Sequence, residues 1–161
     1  MDERTLHSRL KELHKSSFVW AMRCTVQDQS LAEDVLQTVY LKILEGKAVF
    51  KGGSTFKTWL FSVIRFTALD SLRANQIRLL RIKEYEEQVA EDHKPMAGEG
   101  EDLRNKLTAL PLRQQQVLEL RFFHAMTLKE IAQVLEISIG SVRQHYDRGK
   151  KRMRILLIDK S

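Results

Sequence analysis

The sequence predicts an all-α protein of two small helical domains joined by an acidic linker, the second of them a helix-turn-helix domain. Three observations carry this expectation. Apolar residues recur at spacings of three and four along most of the chain, few segments alternate with period two, and the prolines number two, Pro95 and Pro111. Charge is segregated: residues 73–83 hold Arg73, Arg78, Arg81 and Lys83 and no acid, whereas residues 84–102 hold eight acidic side chains against Lys94. In the last quarter a short amphipathic stretch, a tight turn and a strongly basic stretch follow one another, as in a helix-turn-helix.

The elements follow in order. Leu6, Leu10 and Leu13, then Phe18, Ala21 and Met22, predict one or two opening helices. Asp28 or Ser30 caps the next, Leu31 to Glu45, whose stripe of Ala32, Val35, Leu36, Val39 and Ile43 faces inward, and Gly46 ends it. A short loop, Lys47 to Ser54, contains Gly52-Gly53. Thr55 to about Ile82 reads as one or two further helices with Trp59, Leu60, Val63, Ile64, Ala68, Leu69 and Leu72 inward. Residues 83–102 form the linker, with Pro95, Gly98 and Gly100; its first half has helical character and the part after His93 reads as flexible. In residues 103–161 a helix from Leu103 to Leu110 stops before Pro111, and one from Arg113 to Phe123 buries Val117, Leu118, Leu120 and Phe122. Thr127 to Glu136 is the first helix of the motif, Ile137 to Gly140 its turn, and the second helix opens at Ser141.

That second helix is where the chemistry concentrates. Over residues 141–154 it carries Arg143, Arg148, Lys150, Lys151, Arg152 and Arg154 against Asp147 alone, a balance of +5. A 3.6-residue period puts Val142, Tyr146, Gly149 and Met153 on one face, and Ser141, Arg143, Gln144, Asp147, Arg148, Lys151 and Arg152 on the other. Glycine within a helix costs about 1 kcal/mol, so Gly149 implies close packing on the inner face. Such a helix fits the DNA major groove and gains affinity by displacing phosphate counterions. Arg143 and Gln144, in its first turn, are the types that bind guanine and adenine edges bidentately; Ser141 and Arg148 suit phosphates.

The bulk properties agree. The chain of 161 residues has 43% apolar and 30% charged residues, net charge +6 and a pI near 9.5, which call for an acidic partner, nucleic acid or an anionic membrane surface. No apolar run approaches the roughly 20 residues that span a bilayer, and the charged opening stretch has no signal-peptide apolar segment. The single cysteine, Cys24, excludes an internal disulfide and reads as a small core thiol, so a reducing cytoplasm is the expected setting. The five histidines are scattered, no Cys/His set has metal-ligand spacing, and no glycine-rich phosphate cradle occurs. Catalysis, a cofactor and a metal are therefore not expected.

Three segments in order resemble one known family. They are Ala32-Glu33-Asp34-Val35-Leu36-Gln37-Thr38-Val39-Tyr40-Leu41; Phe50-Lys51-Gly52 through Trp59-Leu60 to Ala68-Leu69-Asp70-Ser71-Leu72-Arg73; and Leu110-Pro111 through Val117-Leu118 with Leu128-Lys129-Glu130-Ile131-Ala132. Together they are similar to the extracytoplasmic-function group of sigma-70 superfamily sigma factors, over nearly the whole chain. The resemblance implies that residues 1–82 bind core RNA polymerase and the melted −10 promoter element. It implies that residues 103–161 read the −35 element as duplex, that the linker threads toward the polymerase active centre, and that an anti-sigma factor is a probable partner. By this correspondence Asp34, Gln37, Thr38 and Lys42 face polymerase. Lys51, Gly52, Ser54, Phe56, Lys57, Arg65, Phe66, Arg73, Arg78 and Arg81 serve the −10 element; Ser141, Arg143, Gln144, His145, Arg148 and Lys151 serve the −35 element.

The residues themselves add detail. Glycines at 52 and 53 let backbone approach a displaced strand, lysines 51 and 57 neutralise phosphates, and Phe50, Phe56 or Phe66 can stack on an unstacked base. Trp59 reads as a core anchor, while for Phe56 packing and contact stay open. The match departs from the family at Phe66, where asparagine is frequent, at Glu136, where the turn usually has glycine, at His145, where arginine is frequent, and at Thr38, where an acid is usual. A self-sufficient repressor is the main alternative: it predicts a dimer on palindromic half-sites and leaves the Asp34/Gln37 helix and the glycine loop without a task.

Overall fold

The computed structural model describes the backbone of residues 1–83 and 99–158 and the side chains of residues 1–76 and 103–158. Every regular element among the described residues is helical: α1 Glu3–Glu12, α2 His14–Cys24, α3 Gln29–Leu44, α4 Phe56–Lys83, α5 Glu99–Leu107, α6 Leu112–Phe122, α7 Leu128–Leu135 and α8 Ile139–Ile158. The chain divides into two compact units, Met1–Glu86 and Glu87–Ser161. The expected helical and flexible halves of the linker lie outside the described residues, except that α5 begins at Glu99, four residues before the expected Leu103, and ends at Leu107.

In the N-terminal unit α2, α3 and α4 pack on one another and α1 leans on α2. Asp2 caps α1 by accepting from Thr5 N at 2.7 Å; hydrogen bonding from the Thr5 side chain first, and then from its backbone N–H, lowers the Asp2 carboxyl pKa. The opening helices are two, parted at Leu13. Of the two expected caps of α3, Asp28 acts: its Oδ1 accepts from Leu31 N at 3.1 Å. Gly46, at φ +75°, terminates α3 as the sequence requires. Thr55 Oγ1 accepts from Thr58 N at 3.2 Å and starts α4, which runs as one helix of 28 residues. Ala32, Val35, Leu36, Val39 and Ile43 are all buried, against Leu60, Phe61, Ile64 and Ala68 of α4 and Trp20, Ala21 and Cys24 of α2. Trp20 is fully buried, its ring stacked on Phe61 and its Nε1–H donating to Phe61 O at 3.0 Å.

In the C-terminal unit α6 and α7 pack on α8, and α5 joins through α8. Thr127 opens α7 with a capping box: its Oγ1 accepts from Glu130 N at 3.1 Å while the Glu130 carboxylate accepts from Thr127 N at 3.0 Å. α8 begins at Ile139, two residues before the expected Ser141, because Ser138 supplies the cap: its Oγ accepts from Ser141 N at 3.1 Å. The inner face of α8 is as the period predicts, with Val142, Gly149 and Met153 buried and Tyr146 half-buried. A Cβ on Gly149 would lie 3.0 Å from Leu118 Cδ1, which explains the glycine. In this unit one inward assignment fails: Phe122, at the end of α6, is 60% exposed.

Glu136 ends α7 in the left-handed region, at φ 55° and ψ 44°. A side chain there costs on the order of 1 kcal/mol that glycine avoids. Glu136→Gly is expected to stabilise the C-terminal unit by about 1 kcal/mol, read as a higher midpoint in denaturant unfolding followed by circular dichroism; an unchanged or lower midpoint counts against strain at this turn.

Candidate nucleic-acid and partner interfaces

The basic residues of α8 stand where a groove-reading helix needs them. Arg143, Gln144, Arg148 and Lys151 are exposed, and the period puts Gln144, Arg148 and Lys151 nearly opposite the buried line. Since α8 starts at Ile139, Arg143 and Gln144 lie in its second turn instead of the first. Ser141 is half-buried, and the Ser138 hydroxyl donates to its Oγ at 3.0 Å, so a phosphate has to compete for that group. His145 is half-buried on the shoulder of the helix. Desolvation first, then the fields of Arg113 and Arg148, lowers its pKa below the ordinary 6.5, so the ring is neutral at pH 7.

In the N-terminal unit the loop before α4 turns at Gly52, φ +83°, with Lys51 exposed and Ser54 half-buried. The outward face of α4 carries Trp59, Ser62, Phe66 and Arg73, residues three, four and seven apart. Phe66 is 57% exposed, and Trp59, expected inward as a core anchor, is instead half-buried on this outward face beside Phe50, ring centroids 5.6 Å apart. Trp59, Phe66 and Arg73 thus follow one another along this face at intervals of two helical turns, two aromatic rings and then a cation.

The other candidate contacts do not join that face. Phe56 is 3% exposed, its ring against Phe50 and Trp59, so the choice left open by the sequence falls to packing and the ring cannot stack on a base. Lys57 lies half a turn round α4 from Phe66, its ammonium over the Phe61 ring at 5.7 Å, and Arg65 is half-buried on another flank. Arg78 and Arg81 lie within the backbone of α4, with side chains outside the described residues.

On α3 the outward face carries Asp34, Gln37 and Thr38, all exposed. Thr38 Oγ1 donates back to Asp34 O at 3.0 Å. Lys42 leaves this group: its Nζ donates to Thr67 Oγ1 of α4 at 3.2 Å, which tethers it to the neighbouring helix. In its place the face shows Leu41 and Leu44, 56% and 54% exposed. Sequence reasoning passed over both, although their position off the buried stripe was the available signal. Beside Leu44 a groove of about 300 Å³ is lined by His7, Leu10, Lys11, His14 and Tyr40. His14 Nδ1 and the Tyr40 hydroxyl share a 2.7 Å hydrogen bond, and burial raises the tyrosine pKa. No group of three or more His, Cys, Asp or Glu among the described residues is placed to hold a metal. No helix among them is long and apolar enough to cross a membrane.

A family model described as sigma-70 region 2 matches residues 11–77, and one described as sigma-70, region 4 matches residues 100–153. SigX, an ECF RNA polymerase sigma factor of Bacillus subtilis (strain 168), is 32% identical over 139 residues, 80% of this chain and 72% of SigX. The chain is a sigma factor of the sigma-70 family. It falls in the extracytoplasmic-function group and acts in promoter recognition by RNA polymerase. The RNA polymerase sigma factor SigV of the same organism is 31% identical over 147 residues, 89% of this chain and 86% of SigV. The fold of the sigma factor also matches that of RpoE, solved in complex with the anti-sigma factor NepR from Bartonella quintana. That match has a TM-score of 0.78 and 19% identity, over 98% of this chain and 99% of that one. In the sigma factor the region 2 match takes in α3 and the open face of α4, and the region 4 match takes in α6, α7 and α8 as far as Met153.

Proposed function

We propose that this sigma factor directs core polymerase to its promoters through three surfaces, acting in the cytoplasm without catalysing a reaction. Residues 103–161 read the −35 duplex: Arg143 and Gln144 reach base edges, while Arg148 and Lys151 hold phosphates. The observation that carries this is the exposure of those four side chains on one helix whose charge balance is +5. Residues 1–82 bind polymerase through Asp34, Gln37, Thr38 and the two exposed leucines. They capture the opened −10 strand on Lys51, Gly52, Phe66 and Arg73 and so assist melting, with Phe66 stacking on a base where an asparagine side chain would hydrogen-bond. Residues 83–102 tether the two, so that two weak grips act at high effective concentration on one promoter. RpoE is solved with an anti-sigma factor, which supports a partner of that kind for the same surfaces here.

In vitro transcription tests the reading. Core polymerase with this chain is expected to initiate at discrete sites that core alone ignores. A free chain that binds a palindrome tightly while core polymerase gains nothing would make it a repressor instead. Arg143→Ala and Gln144→Ala are each expected to lose about 1–3 kcal/mol of discrimination at single −35 positions, measured by affinity across a panel of single-base promoter variants. Equal loss on every sequence would reassign them to phosphate.

A further inference from the structure

The inner side of α8 holds it to its unit as far as the last turn. Met153 is buried in a cluster with Leu107, Leu110 and Leu118, and Leu156 packs against the same cluster. That last turn nevertheless leaves three large apolar side chains outside: Ile155, Leu157 and Ile158 are 58%, 47% and 71% exposed. A period of about 100° per residue sets Gln144, Arg148, Lys151, Ile155 and Ile158 within an arc of roughly 80°, opposite Val142, Gly149 and Met153. The two isoleucines therefore prolong the line of exposed side chains that faces the duplex. Arg152 and Arg154, both exposed, flank them on either side.

Duplex reading leaves this end of the helix without a task. At about 1.5 Å per residue Ile158 lies roughly 20 Å beyond Gln144, whereas the major groove is about 12 Å wide. Isoleucine has no group to offer a phosphate. The charge around the pair is one-sided. Residues 148–158 carry Arg148, Lys150, Lys151, Arg152 and Arg154 and no acid, and Asp147 is the one acid between Ser141 and Ile158. A second copy of this face would bring like charges together. Exposed aliphatic groups among cations, on a face open enough to enter a groove, fit the boundary between anionic headgroups and acyl chains. There apolar side chains enter to a depth of about 5–10 Å, while lysine and arginine stems bend back toward the phosphates.

We propose that the outward face of the last three turns of α8 docks on an anionic lipid surface. Ile155 and Ile158 enter the acyl boundary, and Lys151, Arg152 and Arg154 meet headgroup phosphates. The helix lies along the surface and does not span it. On the reading of α8 as the duplex-reading helix, Arg148 and Lys151 serve both partners, so lipid and promoter exclude each other. Attraction to the surface falls as salt rises, and the isoleucines supply the part that salt does not screen.

The test is cosedimentation of the full chain with vesicles at constant ionic strength. Wild type is expected to bind vesicles of equal parts phosphatidylglycerol and phosphatidylcholine, and not vesicles of phosphatidylcholine alone. Ile155→Ser combined with Ile158→Ser is expected to weaken that binding about tenfold or more, with the melting temperature and promoter selection by its holoenzyme unchanged. Lys151→Ala is expected to weaken binding to vesicle and promoter alike, and excess promoter duplex to release the chain from vesicles. A double variant that holds anionic vesicles as tightly as wild type overturns the proposal, since net charge alone then explains the binding. Equal binding to the two kinds of vesicle, or binding to neither, overturns it as well. A double variant that instead loses affinity for core polymerase, or loses an association between copies that wild type shows, gives the face to that partner and overturns the lipid. Duplex that fails to release bound chain overturns the exclusion. Wild-type holoenzyme that selects no promoter overturns the duplex reading and leaves the vesicle result standing.

Discussion

Trp20→Ala is expected to remove about 3–5 kcal/mol from the stability of the N-terminal unit, a large share of what a small domain holds. The side chain is fully buried at the junction of α2 with α4. Truncation leaves a void beside Phe61 and deletes the bond from Nε1 to the Phe61 carbonyl. Trp20→Phe separates the two contributions, since it keeps a ring and drops the donor; its loss should be nearer 1–2 kcal/mol, on the order of one buried hydrogen bond and a smaller void. Urea unfolding followed by circular dichroism measures both. A Trp20→Ala chain within about 1 kcal/mol of wild type would mean that the core lies elsewhere.

Leu41→Asp is expected to weaken binding to core polymerase by about 2 kcal/mol or more, roughly thirtyfold, without changing the melting temperature. Leu41 sits in the middle of the exposed face formed with Asp34, Gln37, Thr38 and Leu44, where an apolar contact ringed by polar ones concentrates binding energy. Because the residue is 56% exposed in the free chain, its replacement leaves the core intact. Lys42→Ala gives the contrasting result: a small loss of stability, through the bond to Thr67, and little effect on polymerase. Fluorescence-labelled core titrated with each variant distinguishes the two, and a normal affinity for Leu41→Asp removes this face from the polymerase contact.

Much of this architecture was legible because helices report their buried side through a fixed period. The α3 stripe, the inner face of α8 and the packing role of Gly149 followed from that rule and from glycine chemistry, and the left-handed turn at Glu136 from the glycine that the resembling family has there. What escaped depended on where helices end and what lies beside them. Phe122 belongs to the apolar pattern of α6, yet it falls at the margin of the cover that α8 provides. Lys42 has the spacing of a surface residue but the reach to find Thr67 on α4. The start of α8 moved because Ser138, two residues inside the presumed turn, holds the capping hydroxyl. The placement of Phe56 depended on Phe50 and Trp59 closing over it.

The chain has two tryptophans, and both lie in the same unit, Trp20 in its core and Trp59 at its open aromatic surface. Indole emission is consequently a built-in label for one half of the molecule. Adding polymerase or a single-stranded oligonucleotide should shift the Trp59 signal, while events at α8 stay spectroscopically dark. A melting curve followed by emission would trace one transition where calorimetry, which weighs both halves, can register two.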